Sequence, residues 1–203
     1  MKSELLKQKT RTNLINYLID NRGFKSYLEI GVQVPANNYD KIICEKKCGV
    51  DPAAHGAVTH PMTSDKFFQD NTDSFDIIFI DGLHLSEQVV KDAENGLKCL
   101  NKNGVIVFHD CMPKKKLHAQ RNRESIDWNG DVWKAAMYIR MNCKNVNLTV
   151  LDMDHGCGVL ETSKSQKLFP KTEIEDMTWE FYEANKIEAF NIMSVEEWLK
   201  KNA

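Results

Sequence analysis

The chain has 203 residues, enough for one domain with a full central sheet in its interior. Hydrophobic residues make up 42% of it and charged residues 28%, a balance that excludes disordered and fibrous classes. A formal net charge of −2 leaves no global basic footprint for nucleic acid or an anionic membrane surface.

Along the chain, Leu14, Ile15, Leu18 and Ile19 share a face at helical spacing, and Gly23 supplies the stop. Residues 27–30 form a strand-sized run that carries Glu29 and ends at Gly31. A short helix is predicted over 37–43, and a second short strand over 49–51 ends in Asp51. Thr63 and Ser64 start a helix through Phe67 and Phe68. The clearest strand covers 75–80 and ends at Asp81. Ser86 is expected to cap a helix whose inner face is Val89, Ala93, Leu97 and Leu100. Asn103-Gly104 ends that segment before a strand over 105–108 that leads into His109-Asp110. Asp131 is expected to cap a helix through Trp133, Ala136, Met137 and Ile139. Two closing strands, 146–151 and 158–161, flank a turn at Asp154-His155-Gly156, and helical stretches near 179–188 and 194–200 form the tail.

No repeat, low-complexity tract or Pro/Gly/Ser-rich linker divides the chain, so one domain over 1–203 is expected, with its core at about 25–161 and a helical tail at 164–203. Met1-Lys2-Ser3-Glu4 carries charge where a secretory leader needs apolar residues. The longest apolar runs are strand-sized, so neither a membrane span nor a membrane partner is expected and a cytoplasmic location is. The six cysteines include no CxxC pair and read as free thiols. A homo-oligomer is compatible with this sequence.

Strands alternating with helices predict an α/β fold: a doubly wound, mostly parallel sheet with helices on both faces. Such sheets bind ligands beyond the carboxyl ends of their strands, where Glu29, Asp51, Asp81, His109 and Asp110 all fall. Gly31 lets the backbone approach a ligand, yet Gly31-Val32-Gln33-Val34-Pro35-Ala36 lacks two of the three glycines of a GxGxxG pyrophosphate loop. A carboxylate at Asp51 can accept both hydroxyls of a ribose. Ser64-Asp65 can meet an adenine, or simply begin a helix.

The segments Tyr27-Leu28-Glu29-Ile30-Gly31-Val32, Gly49-Val50-Asp51-Pro52, Thr63-Ser64-Asp65-Lys66-Phe67-Phe68, Ile80-Asp81-Gly82-Leu83-His84 and Phe108-His109-Asp110-Cys111 together resemble the class I S-adenosylmethionine (SAM) dependent methyltransferases. More narrowly they are similar to the small-molecule O-methyltransferases of the macrocin and cephamycin type, many of which act on sugars. The resemblance covers about residues 25–160. It implies a Rossmann-like sheet of seven strands, one antiparallel, with SAM across the ends of the first strands. Glu29 and Gly31 would then hold the methionine part, Asp51 the ribose, and Ser64 and Asp65 the adenine end, with Asp81 beside the cofactor.

Methylating an alcohol needs its oxygen near deprotonation and in line with the sulfonium. A general base and a divalent metal both help. The resemblance carries the metal acids onto Asp81 and Asp110, with His109 where a further acid or ligand stands. Two carboxylates suit Mg2+, and the histidine at 109, a departure from the family's acid, either shifts the preference toward Mn2+ or leaves the site without a metal. His84, three residues past Asp81, matches the base of the macrolide-sugar members, and an ordinary histidine pKa suits that task. Asp81 and His84 are therefore the expected catalytic pair.

The basic run from Lys114 to Arg123 reads as a solvated face, or as a loop that draws an anionic, phosphorylated or nucleotide-linked sugar over the pocket. It lacks interleaved aromatics, which disfavours nucleic acid. Trp128 and Trp133 are candidates for stacking on a sugar ring. His155 and Cys157 read as structural. The expected activity is SAM-dependent O-methylation of a small hydroxylated acceptor, with a sugar or glycan unit favoured. Two other readings are an NAD(P)-linked oxidoreductase, disfavoured by the missing glycines, and a non-catalytic SAM-binding or partner-docking module, which would have no use for a base.

Overall fold

The computed structural model describes residues 1–202. Two helices, α1 (Lys2–Lys7) and α2 (Arg11–Arg22), precede strand β1 (Ser26–Ile30). Then follow β2 (Lys46–Val50), α3 (Ser64–Asp70), β3 (Phe75–Ile80), α4 (Ser86–Lys98) and β4 (Leu100–Phe108). The remainder is α5 (Val132–Asn142), β5 (Asn147–Leu151), β6 (Cys157–Glu161), α6 (Trp179–Phe190) and α7 (Val195–Lys201). No helix among the described residues is long and apolar enough to cross a membrane.

The strands make one sheet in the order β2-β1-β3-β4-β6-β5. The first four are parallel, and β6 runs antiparallel to both of its neighbours. Side-chain alternation along each strand sorts the core into two layers. Ile78, Ile80, Ile106 and Phe108 pack with Phe67, Val89, Ala93, Trp133 and Tyr182 of α3 to α6. Ile77, Phe79, Val105 and Val107 pack with Leu14, Ile15, Leu18, Trp198 and Leu199 of α2 and α7. The tail is thus part of both layers: Tyr182 meets Trp133 at 5.1 Å, and Trp198 meets Tyr17 edge-on at 6.0 Å. The arrangement is Rossmann-like.

Among the described residues the sheet has six strands, not seven. Beyond β2 the missing edge strand is reduced to one parallel bridge between Val50 and His60. Pro52, Gly56 and Pro61 bracket this segment, and a proline cannot donate to a ladder, so pairing stops there. Over 37–43 the chain forms two 3-10 turns, Pro35–Asn37 and Tyr39–Lys41, in place of the predicted helix. Leu100, expected in the helix of Val89, already belongs to β4. Neither Ser86 nor Asp131 caps its own helix through its side chain. Asp131 instead accepts the backbone N–H of Ser86 at 2.7 Å, so the residue that begins α5 satisfies the start of α4.

Candidate active site

The carboxyl ends of β1, β2, β3 and β4 open into a cleft of about 770 Å3. Glu29, Gly31, Asp51, Ser64, Asp65, Asp81, His84, His109 and Asp110 all line it. The turns after β1 and β3 cross at Gly31. Its φ is +88°, and a Cβ there would lie 2.3 Å from the Asp81 carbonyl oxygen, so only glycine fits.

On one side of the cleft, Glu29 and Asp51 are held by neutral partners. Asp51 accepts the Gln33 N–H at 2.8 Å and the Ala53 N–H at 2.7 Å, one on each oxygen. Glu29 is buried and accepts the Tyr27 hydroxyl and, at 3.0 Å, the Asn38 side-chain amide. Burial pushes its carboxyl up to about 7 against those hydrogen bonds. Such a carboxylate gains from a cationic ligand. Ser64 and Asp65 stand at the mouth of α3, where Lys91 contacts Asp65 at 2.5 Å.

On the other side, three acids meet two imidazoles and a guanidinium. His84 Nε2 lies 3.5 Å from Asp81 Oδ1 and 3.4 Å from Asp110 Oδ2. Its Nδ1 is 3.1 Å from the Trp128 carbonyl, which only accepts, so Nδ1 carries a proton. The Trp128 ring stacks on the imidazole at 4.8 Å. Burial alone lowers the pKa of His84, but Asp81 and Asp110 outweigh it and the net shift is upward. His84 therefore holds its proton more tightly than an ordinary histidine, which departs from the neutral pKa expected from its residue type.

His109 is buried with Nδ1 at 2.9 Å from Asp110 and 3.3 Å from Asp81. Arg11 Nη1 lies 2.7 Å from its Nε2. Burial lowers the His109 pKa, but the charge of Asp81 and hydrogen bonds with Asp110 and Asp154 outweigh it and raise it well above the ordinary histidine value, so the ring holds its proton among these acids. Both nitrogens of His109 are thus engaged by protein groups. Burial opposes ionisation of Asp81, but His109, His84 and Arg11 prevail and hold its carboxyl far below the usual range. Asp110 has a φ of +61° and accepts the Asn129 side-chain amide at 2.9 Å. Donor atoms of Asp81, His84 and Asp110 lie within 4.8 Å of one another, and the two carboxylates fit a divalent cation with the His84 imidazole beside them.

Several cleft residues carry no local sequence signal. Arg11 arrives from the first turn of α2, and its backbone N–H donates to Asp154 at 2.7 Å. Asp154 and His155 come from the β5–β6 turn, where both have positive φ. A Cβ on Gly156 would lie 2.5 Å from the Met112 nitrogen, so glycine lets this turn seat against the chain after β4. Read as structural, His155 nonetheless lines the cleft. Trp128 is at the rim, whereas Trp133 is 2% exposed and belongs to the core. Of the basic run, only Arg123 lines the cleft; Arg121 is bound by Glu87 and Asp131, and Lys116 by Glu180.

Comparison with known proteins agrees in class. Residues 21–111 match the family model described as a methyltransferase domain. An O-methyltransferase from Bacillus cereus, solved with S-adenosylhomocysteine (SAH), shares 14% identity, covering 74% of this chain and 80% of that one, at a TM-score of 0.54. The O-methyltransferase TomG from Streptomyces achromogenes, involved in tomaymycin synthesis and solved with SAM, shares 13% over 76% and 80% at 0.56. The SAH-bound methyltransferase PaMTH1 of Podospora anserina shares 14% over 77% and 78% at 0.55. No curated protein matches the chain. The matched segment, residues 21–111, spans β1 to β4 and the strand-end acids.

Proposed function

We propose that this protein is a SAM-dependent O-methyltransferase that methylates a hydroxyl of a small acceptor, a sugar or glycan unit in particular. One observation carries the reading: a single cleft joins under-compensated acids, Glu29 and Asp51, to an acid–imidazole cluster around His84. The first group suits a cationic nucleoside donor, with Glu29 toward the ammonium and Asp51 toward the ribose. The second suits removal of a hydroxyl proton. The folds solved with SAM or SAH support the same donor.

His84 takes the acceptor proton through Nε2, while the Trp128 carbonyl fixes the ring tautomer and Asp81 and Asp110 stabilise the imidazolium formed. A divalent cation, Mg2+ or Mn2+, would be held by Asp81 and Asp110; when bound it supplies Lewis acidity that makes the acceptor hydroxyl easier to ionise. His109, its nitrogens already engaged, supports Asp110 rather than serving as a third ligand. A polyhydroxylated acceptor is supported by the polar wall of His84, Asp127, His155 and Arg123 and by the half-buried Trp128 at the rim.

Methyl transfer from labelled SAM into a panel of sugars, nucleotide sugars and catechols tests the reading. Transfer to a hydroxyl of a sugar-bearing acceptor is expected, suppressed by EDTA and restored by Mg2+ or Mn2+. Full turnover in chelator would remove the cation. Calorimetric binding of NADH but not SAH would overturn the donor itself.

A further inference from the structure

The corner of the cleft between α3 and α4 holds a carboxylate that the chemistry above does not use. Asp92, on the second turn of α4, is 1% exposed and yet lines the cleft beside Ser64 and Gln88. Gln88 lies one turn earlier on the same helical face. Its Nε2 approaches Asp92 Oδ1 at 3.0 Å, Asp65 Oδ1 at 3.1 Å and Ser64 Oγ at 3.2 Å. An amide nitrogen has two hydrogens, so three acceptors compete for two donors.

The two acids of this corner differ in what else they have. Asp65 is at the surface and takes the Lys91 ammonium at 2.5 Å. Asp92 is inside the wall and makes no ion pair within 4 Å among the described residues. Burial pushes its carboxyl up to about 6, with hydrogen bonds from Ser64 and Gln88 opposing. A buried carboxylate with half its acceptor capacity open is costly, and an N–H donor entering from the cleft relieves it.

The geometry points to Asp92, oriented by Gln88, as the residue that reads the exocyclic amine of the cofactor's adenine. The inference rests on the SAM reading of the cleft and moves base recognition from the exposed Asp65 to a residue of the following helix. An adenine presents two N–H groups at this position. A hypoxanthine presents a carbonyl, whose lone pairs face the carboxylate and leave it unpaired.

Calorimetric titration of the whole protein with SAH and with S-inosylhomocysteine tests it. The native chain is expected to bind SAH at least about tenfold more tightly, the range of a hydrogen bond to a charged group. Asp92→Asn should weaken SAH by about tenfold and leave S-inosylhomocysteine unchanged or tighter, since an amide can donate to the carbonyl. Should Asp92→Asn fail to fold, Gln88→Ala at the half-buried neighbour is expected to shrink the same ratio. Equal affinity of the native chain for both ligands, or equal weakening of both by the variants, overturns the assignment while leaving the SAM reading intact. A native chain that binds neither ligand overturns the SAM reading, and this inference falls with it.

Discussion

The two halves of the cleft hold their acids by opposite means. Glu29 and Asp51 are met by a phenol, an amide and backbone N–H groups, none of them charged. Asp81, Asp110 and Asp154 are met by imidazoles and a guanidinium. Neutral partners orient a carboxylate without neutralising it, so the first half keeps attraction in reserve for a cation. Charged partners neutralise on the spot, so the second half holds ionised acids and a proton poised between them. In the proposed function, one half binds charge and the other moves it. Changing one group in each half separates the two tasks.

The largest effect is expected at His84. His84→Gln keeps a polar side chain of similar reach but cannot carry a proton, so turnover should fall by roughly a hundredfold to ten-thousandfold. SAH affinity, measured by calorimetry, should stay within about twofold, because the donor half is untouched. In the native enzyme the base must be unprotonated, so turnover should rise with pH through a value above the ordinary 6.5 of histidine. That limb should vanish in the variant. A variant retaining full turnover would take the base out of the acceptor half.

A smaller effect, visible chiefly as pH dependence, belongs to Glu29. With its carboxyl near 7 when folded and near 4.5 when unfolded, the fold binds the extra proton between those values. Stability should therefore fall as pH rises from about 4.5 to 7 and level off above, by up to about 3 kcal/mol. Glu29→Gln should remove that slope in thermal melts. A cationic ligand favours the ionised form, so SAM affinity should grow with pH up to about 7 in the native chain. In Glu29→Gln it should be flat, and about tenfold weaker at pH 8. A flat native profile would mean that the ammonium is held elsewhere.

The same division explains what could be read from the residues alone. Glu29 and Asp51 stand at strand ends, and strand ends are marked by apolar runs that stop, as at Ile30 and Val50. Asp81 and Asp110 were legible for the same reason. Arg11, Trp128 and Asp154 reach the cleft on loops and helix ends 44 to 143 residues from their cleft partners, from Trp128 with His84 to Arg11 with Asp154, and no local pattern announces them. The seventh strand came from family resemblance, whereas periodicity indicated six; Pro52, Gly56 and Pro61 were the visible signal against it. Asp92 was hidden for a different reason. An acid within an amphipathic helix reads as solvated face, and only the packing of α3 against α4 places it inside the wall.

The smallest effect should come from the loop that aims His84. Arg121 binds Glu87 at 2.6 and 3.1 Å and Asp131 at 2.6 Å. Asp131 in turn holds the Ser86 N–H, and its own N–H donates to the His84 carbonyl at 3.2 Å. Gly130 passes so close to His84 that a Cβ would overlap the same carbonyl. Arg121 is half exposed, so its pairs are screened and its loss should cost only about 1 kcal/mol of stability. Arg121→Ala should nevertheless lower kcat a few-fold with KM for SAM unchanged, because the imidazole and its stacked Trp128 lose a support while Asp131 keeps Ser86. Arg121→Lys should recover part of that loss, and the gap between native chain and variant should narrow in high salt. Unchanged kcat in Arg121→Ala would show that Trp128 and Gly130 alone suffice to aim the base, and that the acceptor half owes its geometry to packing rather than to charge.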